Sequence, residues 1–534
     1  MIQKIFSSQS KTITGAAMIL GIASFASRFI GLIRDRMFAH YYGAGDILDA
    51  YYAAFRIPDL LYNLLIAGAL TAGFIPVFLD VWHHDKDYAW RITNSLLNSV
   101  ALIMAITAAG LWLFAPAIIK YTVPGFSTEK LADTVLLTRI MLFSPFILGV
   151  SAVVSGVLHS FKNFLVFSFS PILYNVGIIL GVLFLTPTLG IGGLAWGVVL
   201  GAILHLLIQL PAMFQYGFRY QNIFLWNDPM IKKIGRLILP RTLGLATQQI
   251  NILVTTTIAS TLAAGSIAVF NFANNLQYFA IGIIGHSFSL AAFPTFAKYI
   301  AENKKEQMID SFALAARQIL FLILPVSVLF LFLRAQIVRV ALGTGKFDWT
   351  ATALTADTLA IFTISLFAQC LILLIARAYY SINDTWTPFI FSLLAVIVNV
   401  VLAMDLKNSM GVLGLALAYS LAMIMEIVLL WLFLKRKLGD LREKKILISL
   451  AKISLATMVM ALATQYLKNP LAGLVDMTKF WGILTQGAVS GAIGLLIYGL
   501  MCYLLKVEEM IVFVQSFKRR SLKLFSVKES LDNV

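Results

Sequence analysis

The fold class this sequence predicts is an all-α, polytopic membrane protein, and three observations predict it. Of its 534 residues, 60% are hydrophobic and only 12% are charged, with a mean hydropathy of +0.87. An ordinary globular domain is about 45 to 50% apolar and about 25% charged, so charge is too scarce to cover a water-facing surface. The apolar residues also come in continuous runs of helical length rather than in the short alternating segments of a membrane barrel. At about 20 to 25 residues per crossing, about fourteen crossings would consume the apolar content.

In chain order the expected spans cover residues 14–40, 49–80, 92–120, 132–159, 164–186, 190–215, 237–262, 266–296, 309–333, 352–380, 385–404, 411–434, 446–467 and 480–505. Gly, Pro, Asn or charge clusters separate them. With the amino terminus inside, Lys and Arg in the inner segments outnumber those in the outer loops by about three to one, as the positive-inside rule requires. Both termini are therefore expected in the cytoplasm. The net charge of +16 follows from this bias and from attraction to anionic lipid head groups, without invoking nucleic acid. The segment Lys506–Val534, with Phe517, Leu522, Leu524 and Phe525 among Lys518, Arg519, Arg520 and Lys523, reads either as a helix lying on the inner leaflet or as a solvated tail.

The sequence also contains a duplication. Gly190-Ile-Gly-Gly-Leu-Ala195 and Gly411-Val-Leu-Gly-Leu-Ala416 stand 221 residues apart, and the same offset pairs Phe126 with Phe347 and Ser160 with Ser381. Spans one to six and seven to twelve are thus expected to be two parallel copies of a six-helix unit enclosing a central cleft. The expected organisation is an amino-terminal lobe over 1–217, a second lobe over 218–437, an added helix pair over 438–506 and the basic tail over 507–534.

Ionisable groups inside spans are costly and mark function by default. The first two spans concentrate them: Arg28, Arg34, Asp35 and Arg36, then Asp49, Arg56 and Asp59. At 100° per residue, Ser24, Arg28, Gly31 and Asp35 share one helix face, which makes Arg28 the first cleft-facing candidate. Arg56 stands two residues before Pro58, where a bent helix opens room, and Asp59 is its expected ion-pair partner. The alternative is that these charges merely lock the two helices together. The excess of positive charge favours an anionic ligand, since guanidinium forks match phosphate oxygens. In the second copy Asn271, Asn274, Asn275 and Gln277 are polar but neutral, so the anion site is expected in the first lobe.

Arg139, Arg241 and Arg317 lie near span ends and read as interface anchors. Asn175 and Asn399 occupy related positions in spans five and eleven, where they either line the cleft or bond neighbouring helices. Glu426, in Met-Ile-Met-Glu-Ile-Val-Leu-Leu with no basic residue nearby, suits either a proton carrier or a structural carboxyl. His205 and His286 have no metal-ligand spacing and read as packing residues, as do Cys370 and Cys502. No Walker loop, HExxH or GxSxG occurs, which leaves ATP-driven transport and hydrolysis without residues to perform them. No cofactor and no metal are expected.

The run Ser27-Arg28-Phe29-Ile30-Gly31-Leu32-Ile33-Arg34-Asp35, then Asp49-Ala50-Tyr51 and Phe55-Arg56-Ile57-Pro58, resembles the MurJ (MviN) lipid II flippases of the multidrug/oligosaccharidyl-lipid/polysaccharide exporter superfamily. Gly-Lys-Phe347 and Tyr380-Ser-Ile-Asn-Asp-Thr-Trp-Thr-Pro388 are similar to the same family's pattern. The resemblance implies two six-helix lobes plus two helices, in the bacterial cytoplasmic membrane. It implies movement of undecaprenyl-pyrophosphate-linked disaccharide-pentapeptide from the inner to the outer face, by alternating access and without covalent chemistry. Carried over, Arg28, Arg34 and Arg56 match the family's cleft cations and Asp35 and Asp49 its acidic positions, with Ser27, Asn175 and Asn275 beside them. Glu426, Asp384 and Asn399 are the candidates for coupling a cation. Tyr62 stands where the family often has arginine, Ala67 where it has an acid, and Asn274-Asn275 where an Asp-Arg pair is expected. Either the three first-lobe arginines hold the pyrophosphate alone or the substrate is a related lipid-linked glycan. The rival functions are an O-antigen-type glycan flippase and a cation-coupled multidrug exporter.

Overall fold

The computed structural model of the chain describes residues 13–64 and 69–511, and side chains within them except at 13–20, 69–72 and 238–246. Ala67, the side chain of Arg241 and the tail beyond residue 511 therefore lie outside the described residues. Among the described residues the structure is helical and holds no strand.

The helices are α1 (Ile13–Tyr42), α2 (Asp46–Tyr62), α3 (Ala69–His84), α4 (Lys86–Thr122), α5 (Thr128–Met141), α6 (Phe143–Ser160), α7 (Phe164–Leu180), α8 (Thr186–Leu189), α9 (Gly192–Leu207), α10 (Leu210–Gln215) and α11 (Pro229–Ala259). They continue as α12 (Ser266–Ile281), α13 (Ser287–Ala301), α14 (Lys305–Phe332), α15 (Arg334–Ala341), α16 (Trp349–Thr363), α17 (Leu366–Ser381), α18 (Trp386–Met410), α19 (Val412–Leu438), α20 (Glu443–Leu474) and α21 (Phe480–Leu504). Wide π-turns at Gly181–Leu185 and Gly282–His286 join α7 to α8 and α12 to α13.

Ten helical segments are long and apolar enough to cross a membrane, or eleven when α16 and α17, bent by 46° at their junction, count as one span. Ten or eleven, not fourteen, therefore meet that requirement among the described residues. At the other three expected positions the chain is also helical, in α1, in α2 with α3, and in α11.

Local chemistry sets the boundaries. Asp85 and Ser127 cap α4 and α5 by accepting the N–H groups of Tyr88 and Lys130, and Asp228 caps α11 from just before Pro229.

The duplication is written in the backbone as well. Thr128 and Ser160 bound the fourth span, and Trp349 and Ser381, each 221 residues on, bound the tenth. Gly190 and Gly411 both turn at φ +58°, and Lys162 and Asn383, again 221 apart, sit in the left-handed region at φ +57° and +58°. Two spans that begin, break and end at matched residues are copies of one unit.

The chain divides into two compact units. The first comprises residues 1–272, 341–351 and 400–415. Its apolar core gathers Phe74, Phe78, Trp90, Val153, Val157 and Met213. In it α7 and its π-turn meet α9 along glycines: a Cβ on Gly177 or Gly181 would overlap the backbone at Gly201 or Gly197. This small-xxx-small contact replaces the hydrophobic effect, which cannot drive helices together in lipid. The second unit comprises 273–340, 352–399 and 416–534. Its core joins α13, α14, α17 and α19 through Phe296, Phe312, Leu374, Tyr379 and Leu430. A further cluster around Ile453, Met460 and Tyr498 packs α20 and α21 on Phe321. Cys370 and Cys502 are free and buried, as small apolar residues.

Candidate functional site

Within the first unit, charged and amide side chains brought from distant stretches of sequence gather on α1, α2, α7, α11 and α12. Arg34 is half-buried on α1. Its Nε and Nη2 donate to Asp35 Oδ1 at 3.0 and 2.8 Å, and its Nη1 donates to Asn175 Oδ1 of α7 at 3.0 Å. Its guanidinium also lies 5.8 Å from the centre of the Phe38 ring. Asp35 is buried, with 2% of its surface exposed. Asn175 in turn donates to Pro171 O, the carbonyl one turn back.

Arg56 is held differently. Its Nε donates to Thr256 Oγ1 of α11 at 2.9 Å and its Nη2 to Asn271 Oδ1 of α12 at 2.5 Å. Both acceptors are neutral. Asp59, the expected ion-pair partner, instead accepts from Asn63 Nδ2 at 2.8 Å. Asp59 is turned to this amide one turn on, so the contact ion pair expected with Arg56 is corrected to a longer-range attraction. Among the described residues Arg56 makes no ion pair within 4.0 Å, and the Asp59 carboxylate, three residues on along the same helix, attracts it only at longer range.

Asp49, buried to 2% exposure, is committed to a junction. Its Oδ2 accepts the backbone N–H of Gly265 at 2.7 Å, its Oδ1 accepts that of Ala268 at 2.9 Å, and Lys130 Nζ lies 2.9 Å from Oδ2. The carboxylate thereby caps the amino terminus of α12, where free N–H groups and the helix dipole favour a negative charge. Lys130 also meets Asp46 at 2.6 Å and lies over the Phe126 ring at 4.1 Å. Neighbouring loops interlock at the same end. Lys346 N donates to His40 O at 2.9 Å, Lys407 Nζ donates to Thr261 Oγ1 at 3.3 Å, and a Cβ on Gly125 would overlap the backbone at Ser260 and Thr261.

The remaining expected residues are placed as follows. Ser27 and Arg28 are half-buried on α1. Asn275 is half-buried on α12, in the second unit, and it is Asn271, one turn earlier, that receives Arg56. Glu426 is 4% exposed on α19, and Asn399 is buried on α18. Asp384 lies in the loop between α17 and α18, outside any span, where it accepts from Thr387 N at 3.0 Å and from Thr387 Oγ1, and pairs with Lys437. Arg139 lies over the Trp112 ring at 4.5 Å. Arg317, expected as an interface anchor, instead pairs with Glu508 at 2.7 Å and Glu509 at 3.0 Å. His205 packs against Ser151 and Gln209 through hydrogen bonds.

Thr256 carries no ionisable signal in the sequence. The available clue was the polar run Thr-Thr-Thr-Ile-Ala-Ser260 within an otherwise apolar span.

Comparison with known proteins bears on what this arrangement is for. A family model described as "Lipid II flippase MurJ" matches residues 38–484. A relative from Buchnera aphidicola subsp. Schizaphis graminum, named a probable lipid II flippase MurJ, is 30% identical over 433 residues, covering 78% of this chain and 82% of its own length. Among solved structures, a lipid II flippase MurJ in an inward closed conformation aligns with a TM-score of 0.75 at 24% identity, covering 91% of this chain and 99% of that one. An inward-facing multidrug resistance MATE family transporter of the MOP superfamily aligns with a TM-score of 0.66 at 17% identity, covering 80% and 99%. These two likenesses concern the fold.

Proposed function

The chain belongs to the lipid II flippase MurJ family, and on that premise we propose that it carries lipid II across the cytoplasmic membrane, from the inner to the outer face. It is a multi-pass membrane transporter, and no covalent step is required of it.

The observation that carries the reading is the setting of Arg56. A cation inside a membrane span is expensive unless it has a partner, yet this one is held in place by a hydroxyl and an amide, with Asp59 attracting it only from beyond ion-pair contact. Arg34, shared between Asp35 and Asn175, stands on the preceding helix, and Arg28 is six residues before it. Planar guanidinium groups pair with phosphate oxygens bidentately, so a pyrophosphate arriving at this cluster would supply the contacting anion that Arg56 lacks. On this account the prenyl chain stays in lipid while the head group crosses, and the two repeats open alternately. The membrane potential or a coupled cation resets the cycle, with Glu426 and Asn399 as the buried polar groups of the second unit suited to that task. Both termini face the cytoplasm.

A drug exporter of the same superfamily would hold cationic compounds, for which the excess of arginine on α1 and α2 is the wrong charge. The test is complementation of a strain depleted of its lipid II flippase. Arg56→Ala and Arg28→Ala are expected to abolish rescue at normal membrane abundance. Full growth with either variant would refute the assignment.

A further inference from the structure

The connection between α10 and α11, residues 216–228, is not helical. An irregular segment near a bilayer has a problem, because its free N–H and C=O groups need partners wherever water is scarce. Here a stripe on α4 provides them. Asn94 Nδ2 donates to Arg219 O at 3.0 Å while Asn94 Oδ1 accepts from Gln221 N at 2.9 Å. Asn98 Nδ2 donates to Gln221 O at 2.9 Å and Ile223 O at 3.0 Å, and Ser95 Oγ accepts from Leu225 N at 2.8 Å. Ser99 Oγ accepts from Trp226 Nε1 at 2.8 Å, and Tyr88 Oη donates to Asp228 Oδ2 at 2.7 Å. Residues 94, 95, 98 and 99 fall on one helical face, and all four are buried by the segment they hold.

The side chains of the strap divide into two sets. Phe218 is buried at 6% exposure, whereas Tyr220, Phe224 and Trp226 are 62%, 45% and 58% exposed. Phe224 and Trp226 touch edge to face at 5.4 Å. Exposed basic side chains flank the row at Arg219, Lys232, Lys233 and Arg236. A loop meant for bulk water needs neither a ladder that satisfies its backbone nor an outward row of aromatic rings. Both are what the boundary between head groups and acyl chains demands: tyrosine and tryptophan concentrate at that depth, and basic side chains beside them meet anionic lipid.

We propose that residues 216–228 form an in-plane strap, clamped to α4 by Asn94, Ser95, Asn98 and Ser99, whose Tyr220, Phe224 and Trp226 insert into the anionic inner leaflet. Its occupant is the lipid surface itself, not a protein. The strap anchors the single connection between the two six-helix repeats at a fixed depth.

Nitroxide accessibility in vesicles of phosphatidylethanolamine and phosphatidylglycerol tests this without lipid II, so its outcome is separable from that of the transport reading. Labels are placed in the full chain at Tyr220→Cys, Phe224→Cys and, as the control, Asp440→Cys in the exposed loop before α20. The native cysteines are buried and stay unlabelled. Collisions with lipid-soluble oxygen are expected to exceed those with a water-soluble nickel chelate at 220 and 224, and the order is expected to invert at 440. Chelate collisions dominating at 220 and 224 would overturn the proposal. Adding Asn94→Ala and Asn98→Ala to Phe224→Cys is expected to raise chelate collisions at 224; no rise would overturn the clamp.

Discussion

Asp49 and Gly265, 216 residues apart, are joined by a hydrogen bond of 2.7 Å from the Gly265 N–H to the Asp49 carboxylate. The same carboxylate takes a second N–H from Ala268 and the ammonium of Lys130. One acidic side chain thus fastens α2 to the start of α12 and to α5. Gly265 adopts φ +87°, and a Cβ there would overlap the backbone at Ala44, so the turn admits this approach only with glycine.

The first prediction follows from that junction. Asn in place of Asp49 keeps the shape but loses the charge that serves two helix-terminal amides and one lysine. Charge-assisted hydrogen bonds are worth about 1.5 to 3 kcal/mol, so Asp49→Asn is expected to destabilise by about 2 kcal/mol. A lowered melting temperature in detergent would show it; an unchanged one would mean that the junction contributes nothing.

Arg34 gives the second. Replacing its neutral acceptor by a carboxylate, Asn175→Asp, is expected to cancel part of the charge offered to an anion. Retention of lipid II by the purified protein should fall about tenfold, the equivalent of about 1.4 kcal/mol, while the melting temperature holds or rises. Retention equal to that of the native chain would remove Arg34 from the site.

The glycine contact between α7 and α9 supplies the third. A Cβ on Gly197 would lie 2.8 Å from Gly181 Cα and 3.2 Å from Ile178 O. Gly197→Leu must push the helices apart, at a cost of about 1 to 3 kcal/mol, and Gly197→Ala should cost less. Melting curves of the two variants against the native chain read the difference, and indifference to leucine would contradict the packing.

A pH dependence follows at the loop between α17 and α18. Burial acts to raise the Asp384 pKa, but hydrogen bonds from Lys437 Nζ and from the Thr387 hydroxyl and N–H outweigh it and hold the carboxyl below its ordinary value. A depressed carboxyl stabilises the fold above its unfolded pKa and loses that contribution as pH falls through the folded value. Amide exchange at Thr387 is therefore expected to stay slow at neutral pH and to accelerate in acid, below the usual carboxylate range. Asp384→Asn should make it fast at neutral pH with little further acceleration in acid. An acid response identical to the native chain's would contradict the pairing.

How much was legible beforehand depended on the range of the interaction. Hydropathy and charge asymmetry located helices at every expected span. The matched residues of the duplication were readable because Gly190 and Gly411, or Ser160 and Ser381, are each fixed by the local turn they terminate. The cationic character of α1 and α2 was readable too, since an arginine in an apolar run stands out by composition alone. Partners were not. Helical periodicity states which face a residue occupies but not what meets it, so nothing announced that Thr256, 200 residues from Arg56, would receive it. Composition gives no sign that Asn63, a neutral residue four positions on, takes the Asp59 carboxylate and leaves Arg56 with only a longer-range attraction to it. The strap on α4 was invisible for the same reason: Asn94 and Asn98 bind backbone atoms, which carry no sequence signal.

The central claim is that Arg56, oriented by neutral acceptors and with no acid in direct contact, offers its charge to the pyrophosphate of the substrate. Native mass spectrometry of the purified protein with lipid II, against a neutral lipid as control, measures this most directly in the native chain and in Arg56→Gln. The account predicts that the native chain retains lipid II over the neutral lipid and that Arg56→Gln, folded to the same melting temperature, does not; equal retention of lipid II by both proteins would contradict it.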